Sequence, residues 1–169
     1  MGLKIFEEGL IIDAVALIDF CKSDPTVLKL ISTHLGQLYL ATPVLEEVRQ
    51  INEEACAALG IILVEPRFEQ VVEAASMRGT LSFEDRVCLL LAKENGWTCL
   101  TNDKPLRKQC QAEGVKVLWG LETLVYLVKS SALAPLAAKE IAVKIHQTNR
   151  FLTGDILKQF LAKIGLRGF

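Results

Sequence analysis

The sequence predicts an α/β domain: a short, mostly parallel sheet with helices on both faces, followed by further helices at the C-terminal end. Three observations predict it. The strand-like runs are apolar throughout rather than alternating, as expected of strands covered on both sides. They alternate with helical patterns over most of the chain. Half of the 169 residues are hydrophobic, which suits a deep core in one domain of this length and leaves an excess for a self-association face.

The elements follow in order. A first strand over 10–13 consists of Leu10, Ile11 and Ile12 closed by Asp13. Asp24-Pro25 then places a cap before a proline at the first helical position, and a second strand is expected over 37–40. Thr42-Pro43 repeats the cap-proline device, and a third strand falls at 61–64. Ser82 starts a long helix that Asn95-Gly96 ends. A fourth strand is expected over 98–101, a helix from Lys104-Pro105 to Glu113-Gly114, and a fifth strand over 115–118. From about Leu121 the pattern reads as helices only, at 121–130, 134–146 and 155–163. The expected organisation is an α/β domain over 8–130 with a helical extension over 131–169 packed on it.

Bulk properties exclude several classes. The formal net charge of −1 argues against a strongly basic nucleic-acid coat protein. No apolar run reaches the roughly 18 residues of a membrane span, and residues 1–9 lack a basic-then-apolar secretory pattern. A cytoplasmic location without membrane contact is expected. Cys21, Cys56, Cys88, Cys99 and Cys110 are odd in number and form no C-x-x-C pair, so they read as reduced, small core residues rather than disulfides or a zinc site. A homodimer is expected from the excess of hydrophobic residues.

Four acids stand at the edges of these core segments: Asp13, Glu47, Asp85 and Asp103. In a parallel α/β sheet, ligands bind beyond the carboxyl ends of the strands, where the following helices begin. Asp13 and Asp103 close predicted strands or their immediate continuation. Asp85 lies in the first turn of its helix and Glu47 in the second turn of its own. All four can therefore converge on one rim, where carboxylates repel unless a cation joins them. Each acid also has an ordinary explanation. Ser82-x-x-Asp85 fits a variant capping box, Asp103 can cap the helix entered by Pro105, Glu47 can be half of a solvated Glu46-Glu47 pair, and Asp13 can be a loop residue.

These segments together resemble the PIN-domain nucleases. Ile11-Ile12-Asp13 with Leu17-Ile18 is similar to the family's opening motif, and Thr42-Pro43-Val44-Leu45-Glu46-Glu47-Val48 to its second. Leu81-Ser82-x-x-Asp85 with the Leu-rich helix after it resembles the third, and Leu100-Thr101-Asn102-Asp103-Lys104-Pro105-Leu106-Arg107 the fourth. The similarity spans about residues 8–130, in the right order. It implies a Rossmann-like three-layer domain and a ribonuclease dependent on Mg2+ or Mn2+, acting on single-stranded or structured RNA. Many such proteins are toxins held by an antitoxin protein. The chain departs from the pattern after Asp13, where Ala14 and Val15 replace hydroxyl or amide residues. A supporting hydrogen bond to the Asp13 carboxylate is therefore expected to be lacking.

In this reading Asp13, Asp85 and Asp103 are the closest metal ligands, and Glu47 is a ligand or orients the attacking water. Thr101 or Asn102 would hydrogen-bond a carboxylate or water, or simply finish the strand. Arg86, Lys104 and Arg107 are the expected phosphate-binding cations, with Arg49 and Lys108 nearby on the same helices. Trp97 and Trp119 could stack on bases, but both adjoin strand ends, which favours packing. His34 and His146 lack partners at ligand spacing and receive no catalytic role. A dehalogenase-like phosphatase would need a second Asp where Val15 stands, and a receiver domain an Asp where Glu65-Pro66 stands. A protein-interaction module with a weak or silent site is the remaining alternative.

Overall fold

The computed structural model describes residues 4–166. Its five strands are β1 (Leu10–Ile12), β2 (Leu38–Ala41), β3 (Ile61–Val64), β4 (Thr98–Leu100) and β5 (Val117–Leu118). They form one sheet in the order β3-β2-β1-β4-β5, and every pairing is parallel. The expected α/β architecture is thus present; β3 has the expected bounds, β2 lies one residue later than expected, and β1, β4 and β5 are shorter than the apolar runs suggested. Residue 13 closes β1, its amide still bonded to the Leu100 carbonyl while its side chain caps a helix, and the Val115 amide before β5 still bonds back to the Cys110 carbonyl of the preceding helix.

The helices are α1 (Ala14–Ser23), α2 (Thr26–His34), α3 (Thr42–Glu47), α4 (Glu53–Ala58), α5 (Phe68–Ser76), α6 (Phe83–Asn95), α7 (Lys104–Ala112), α8 (Gly120–Lys129), α9 (Pro135–Thr148) and α10 (Gly154–Lys163). α6 packs on β1, β2 and β4 and neighbours α3, α5 and α7; α1, α2, α8 and α9 neighbour one another in a second group. Leu10, Ile11 and Ile12 are wholly buried between the helix layers, which is why the central strand reads as an unbroken apolar run. α6 carries the apolar stretch 87–92 into the core and stops at Gly96. This residue has φ of +70°, a left-handed conformation open to glycine without a Cβ penalty.

The chain entry into α2 differs in detail from expectation. Asp24 Oδ1 accepts hydrogen bonds from the Thr26 amide and hydroxyl, an Asx arrangement that sets up Pro25 as the flanking residue and starts the helix at Thr26. At the C-terminal end, α9 buries Ala138, Ile141, Ala142 and Ile145 and packs on α1 and α8; α10 packs on α8 and α9. The five cysteines are free thiols. Among the described residues, no helix is long and apolar enough to cross a membrane.

Candidate metal-binding active site

The strand order reverses direction at β1. The chain fills the sheet outward through β2 and β3, then returns to β4 on the other side of β1. The crevice beyond the ends of β1 and β4 is therefore the topological switch point, the place where an open parallel sheet receives ligands. Asp13 follows β1 and the segment 101–103 follows β4.

Asp13 is fully buried. Its Oδ1 accepts the Ala16 amide at 2.8 Å and so caps α1; its Oδ2 accepts the Thr101 hydroxyl at 2.5 Å. The Thr101 oxygen in turn accepts the Asp103 amide at 2.9 Å. One hydroxyl thus fixes both strand-end acids. It supplies the hydrogen bond that Ala14 and Val15 cannot, which corrects the expectation that this support is missing. Asp103 Oδ2 accepts the Leu106 amide at 3.3 Å and caps α7. The capping and ligand readings of Asp103 are compatible, because a carboxylate has two oxygens and about four lone-pair sites. Asp85 is half-buried in the first turn of α6, and its amide donates to Ser82 Oγ at 3.1 Å.

Charge shows which acids are neighbours. Burial pushes Asp13 up to about 8 despite the Thr101 and Ala16 hydrogen bonds, and the negative charges of Asp85 and Asp103 push the same way. Asp85 is pushed up to about 6, first by burial and then by Asp103, with Glu47 and Glu84 adding to it. Asp13, Asp85 and Asp103 therefore feel one another across one rim. Glu47, the last residue of α3, is exposed and joins that group through the charge it exerts on Asp85. Its carboxyl is raised by partial burial and by Glu84. The groove beside it, about 520 Å3, is lined by Glu46, Glu47, Glu65 and Glu84 among others.

Among the described residues, no three His, Cys, Asp or Glu side chains already form a metal site. The donor chemistry nevertheless fits a hard divalent cation: carboxylate oxygens at one rim, protonation of Asp13 and Asp85 favoured by burial and then by mutual repulsion, and one oxygen of Asp103 without a donor among the described residues. Mg2+ keeps several waters and needs only one or two direct carboxylates, so it does not require a closed protein cage.

The predicted cations divide. Arg86 donates to the carbonyls of Ala74 at 3.3 Å and Gly79 at 3.1 Å, so its guanidinium pins the segment after α5. Lys104 is exposed at the start of α7, and Arg49 and Lys108 are exposed as well. Arg107 is half-buried with its guanidinium carbon 4.2 Å from the centre of the Trp119 ring. Trp97 packs as expected, stacked on Tyr39 with centroids 4.0 Å apart. His34 is exposed on α2, and the half-buried His146 has its Nδ1 within 2.6 Å of the Leu152 carbonyl.

Sequence reasoning missed a buried carboxylate behind the rim. Asp19, on α1, is nearly inaccessible, and its Oδ2 accepts from the side-chain amides of Asn102 and Asn149, each at 2.8 Å. Asn102 Oδ1 accepts the Gly120 amide at 2.8 Å. Asp19 stands alone in the apolar run Leu17-Ile18-Asp19-Phe20, and an isolated acid in such a run is the signal that points to it.

No protein-family model and no curated protein matches the chain. A solved structure that it resembles is a PilT N-terminus domain protein from the hyperthermophilic archaeon Sulfolobus solfataricus, with a TM-score of 0.50 at 17% identity, covering 74% of this chain and 93% of that one.

Proposed function

We infer that this chain, which shares the PilT N-terminus (PIN) fold, is a metal-dependent nuclease that hydrolyses phosphodiester bonds of RNA. The observation that carries the reading is that Asp13, Asp85 and Asp103 gather at the switch point of the sheet, near enough that the charges of Asp85 and Asp103 act on Asp13 and that of Asp103 on Asp85. Acids gathered at one rim, two of them held above their ordinary carboxyl value by burial and by one another, raise the free energy of the folded chain unless a cation compensates them. They are the residues that would hold Mg2+ or Mn2+, with Glu47 at the margin. When bound, such a cation supplies positive charge against a scissile phosphate and a more acidic water.

The remaining roles belong to the chain itself. Thr101 holds the Asp13 carboxylate and the Asp103 backbone in register. Glu47, exposed and with its carboxyl raised by partial burial and by Glu84, orients the attacking water and takes its proton on a carboxylate oxygen. Lys104 offers an exposed cation to a neighbouring phosphate. The finer reading of a toxin restrained by an antitoxin protein rests on the sequence resemblance, that of a homodimer on the excess of hydrophobic residues, and that of a cytoplasmic location on the odd set of cysteines.

One observation favours a catalytically silent interaction module instead: Asp13 is wholly buried and both of its oxygens already accept protein hydrogen bonds. Incubation of the protein and its Asp103→Asn variant with labelled single-stranded RNA and Mg2+ or Mn2+ separates the two. Metal-dependent cleavage by the unaltered protein, lost in the variant, is expected. Equal cleavage by both, or none by either at any metal concentration, removes the nuclease.

A further inference from the structure

A groove of about 220 Å3 runs between α7, α8 and α10. Arg107 and Trp119 form one side of it, Leu121 and Val125 of α8 contribute apolar surface, and Phe160 and Lys163 of α10 close the other side. Among the described residues, the Arg107 guanidinium lies over the Trp119 indole instead of pairing with a carboxylate, and Arg107 Nε has no hydrogen-bond acceptor. Lys163 also has no carboxylate partner among the described residues. Glu122 is the acid in the lining, and its Oε1 accepts the Trp119 amide. The groove therefore joins two unneutralised cations to an aromatic and apolar interior.

Its position relates it to the acidic rim. Arg107 lies one helical turn after Asp103, and its amide bonds to the Asp103 carbonyl. Trp119 immediately precedes Gly120, whose amide is held by Asn102, the residue before Asp103. Two residues of the groove are thus fixed to the segment that presents Asp103, and the third element, α10, comes from the C-terminal extension.

We propose that this groove is a subsite for one nucleotide of single-stranded RNA, its base lodged against Trp119, Arg107 and Phe160 and an adjacent phosphate held by Lys163. The proposal rests on the nuclease reading of the neighbouring carboxylates. Single-stranded nucleic acids are held by this combination of ring surfaces for bases and cations for the backbone. The groove is too small for an amphipathic helix of a partner protein, and its free charges match a phosphate. An extended acidic peptide is the competing occupant.

Intrinsic fluorescence tests it directly, because the chain has two tryptophans and Trp97 is buried and stacked on Tyr39. Trp119 is therefore the solvent-sensitive reporter. Short single-stranded RNA is titrated into the full chain in EDTA, so that cleavage plays no part, with anisotropy of the labelled RNA measured in parallel. RNA is expected to change the emission and to protect it from acrylamide, and the Trp119→Phe variant to lose that signal. Lys163→Glu, at an exposed position, and Arg107→Gln are each expected to weaken binding about tenfold, within the range for losing one stacked or phosphate-bound nucleotide. The proposal is overturned if RNA leaves the Trp119 signal unchanged, if both charge variants bind like the unaltered protein, or if duplex RNA or a poly-glutamate peptide gives the same response. Cleavage without the fluorescence response sinks this subsite alone, whereas the response without metal-dependent cleavage sinks only the nuclease reading.

Discussion

At Asp103, Oδ2 caps α7 by accepting the Leu106 amide, and the same carboxylate contributes charge to the rim. Substitution separates the two roles. Asn caps a helix about as well as Asp, whereas Ala loses about 1 kcal/mol at such a position. Asp103→Asn should therefore keep or raise the denaturant midpoint of metal-free protein, because the cap stays and a rim charge is removed, and lose metal-dependent cleavage by about a hundredfold or more. Asp103→Ala should lose cleavage and about 1 kcal/mol of stability. Equal destabilisation by both would mean that the cap reading of Oδ2 is wrong. At this scale the sequence was informative where chemistry is local: Ser82, Asp103 and the strand-end Asp13 all stand where their neighbours in the chain predict. From sequence Thr101 reads as a strand end or as a hydrogen-bond partner, because Asp13 is 88 residues away and only the closed sheet brings them together. Ala14 and Val15 suggested a missing bond for the same reason.

Around Asn102, four elements meet through side-chain amides and one carboxylate. Asp19 from α1 holds both Asn102 and Asn149, and Asn102 holds the first amide of α8. Gly120 is required here by proximity: a Cβ built on it would stand 2.7 Å from Asn102 Oδ1 and 2.9 Å from Nδ2. Gly120→Ala should push Asn102 away from Asp19, cost about 1–3 kcal/mol in chemical denaturation, and reduce cleavage through the shifted 101–103 segment. An unchanged denaturation midpoint would show that the knot relaxes freely. Helices were legible where a strong device opened them, as at Thr42-Pro43, Ser82 and Lys104-Pro105. α1 was not, because it starts with no intervening turn and its cap, Asp13, also reads as a strand end. α4 is six residues long, with an Asn52 cap bond to the Ala55 amide as its main local signal.

The crowded rim ties the stability of the whole molecule to pH. Asp13 and Asp85 are held above the ordinary carboxylate value of 3.8, at about 8 and about 6. Between 3.8 and those values the folded chain binds more protons than the unfolded chain, so stability falls as pH rises. The contribution is complete below about pH 4, and Asp85 has lost its part above 6 and Asp13 its part above 8. Metal-free protein should therefore melt at a lower temperature at pH 8 than at pH 5, and Asp13→Asn should flatten the decline between 6 and 8. Mg2+ at about a hundred times its dissociation constant should raise the pH 8 melting point by about 8 °C. A metal-free melting point that rises from pH 5 to 8 would contradict the electrostatic account. The parallel architecture was readable at this scale because doubly covered strands leave an apolar signature. The order β3-β2-β1-β4-β5 was not, since nothing local in a strand states which neighbour it will choose.

Asn149 stands between α9 and α10, so two shortened chains would differ sharply. One ending at residue 153 keeps the amide that satisfies Asp19 and forfeits α10 with its share of the groove. One ending at residue 148 leaves an interior carboxylate answered by Asn102 alone, and the loss is felt beside Asp103, far along the chain from the cut.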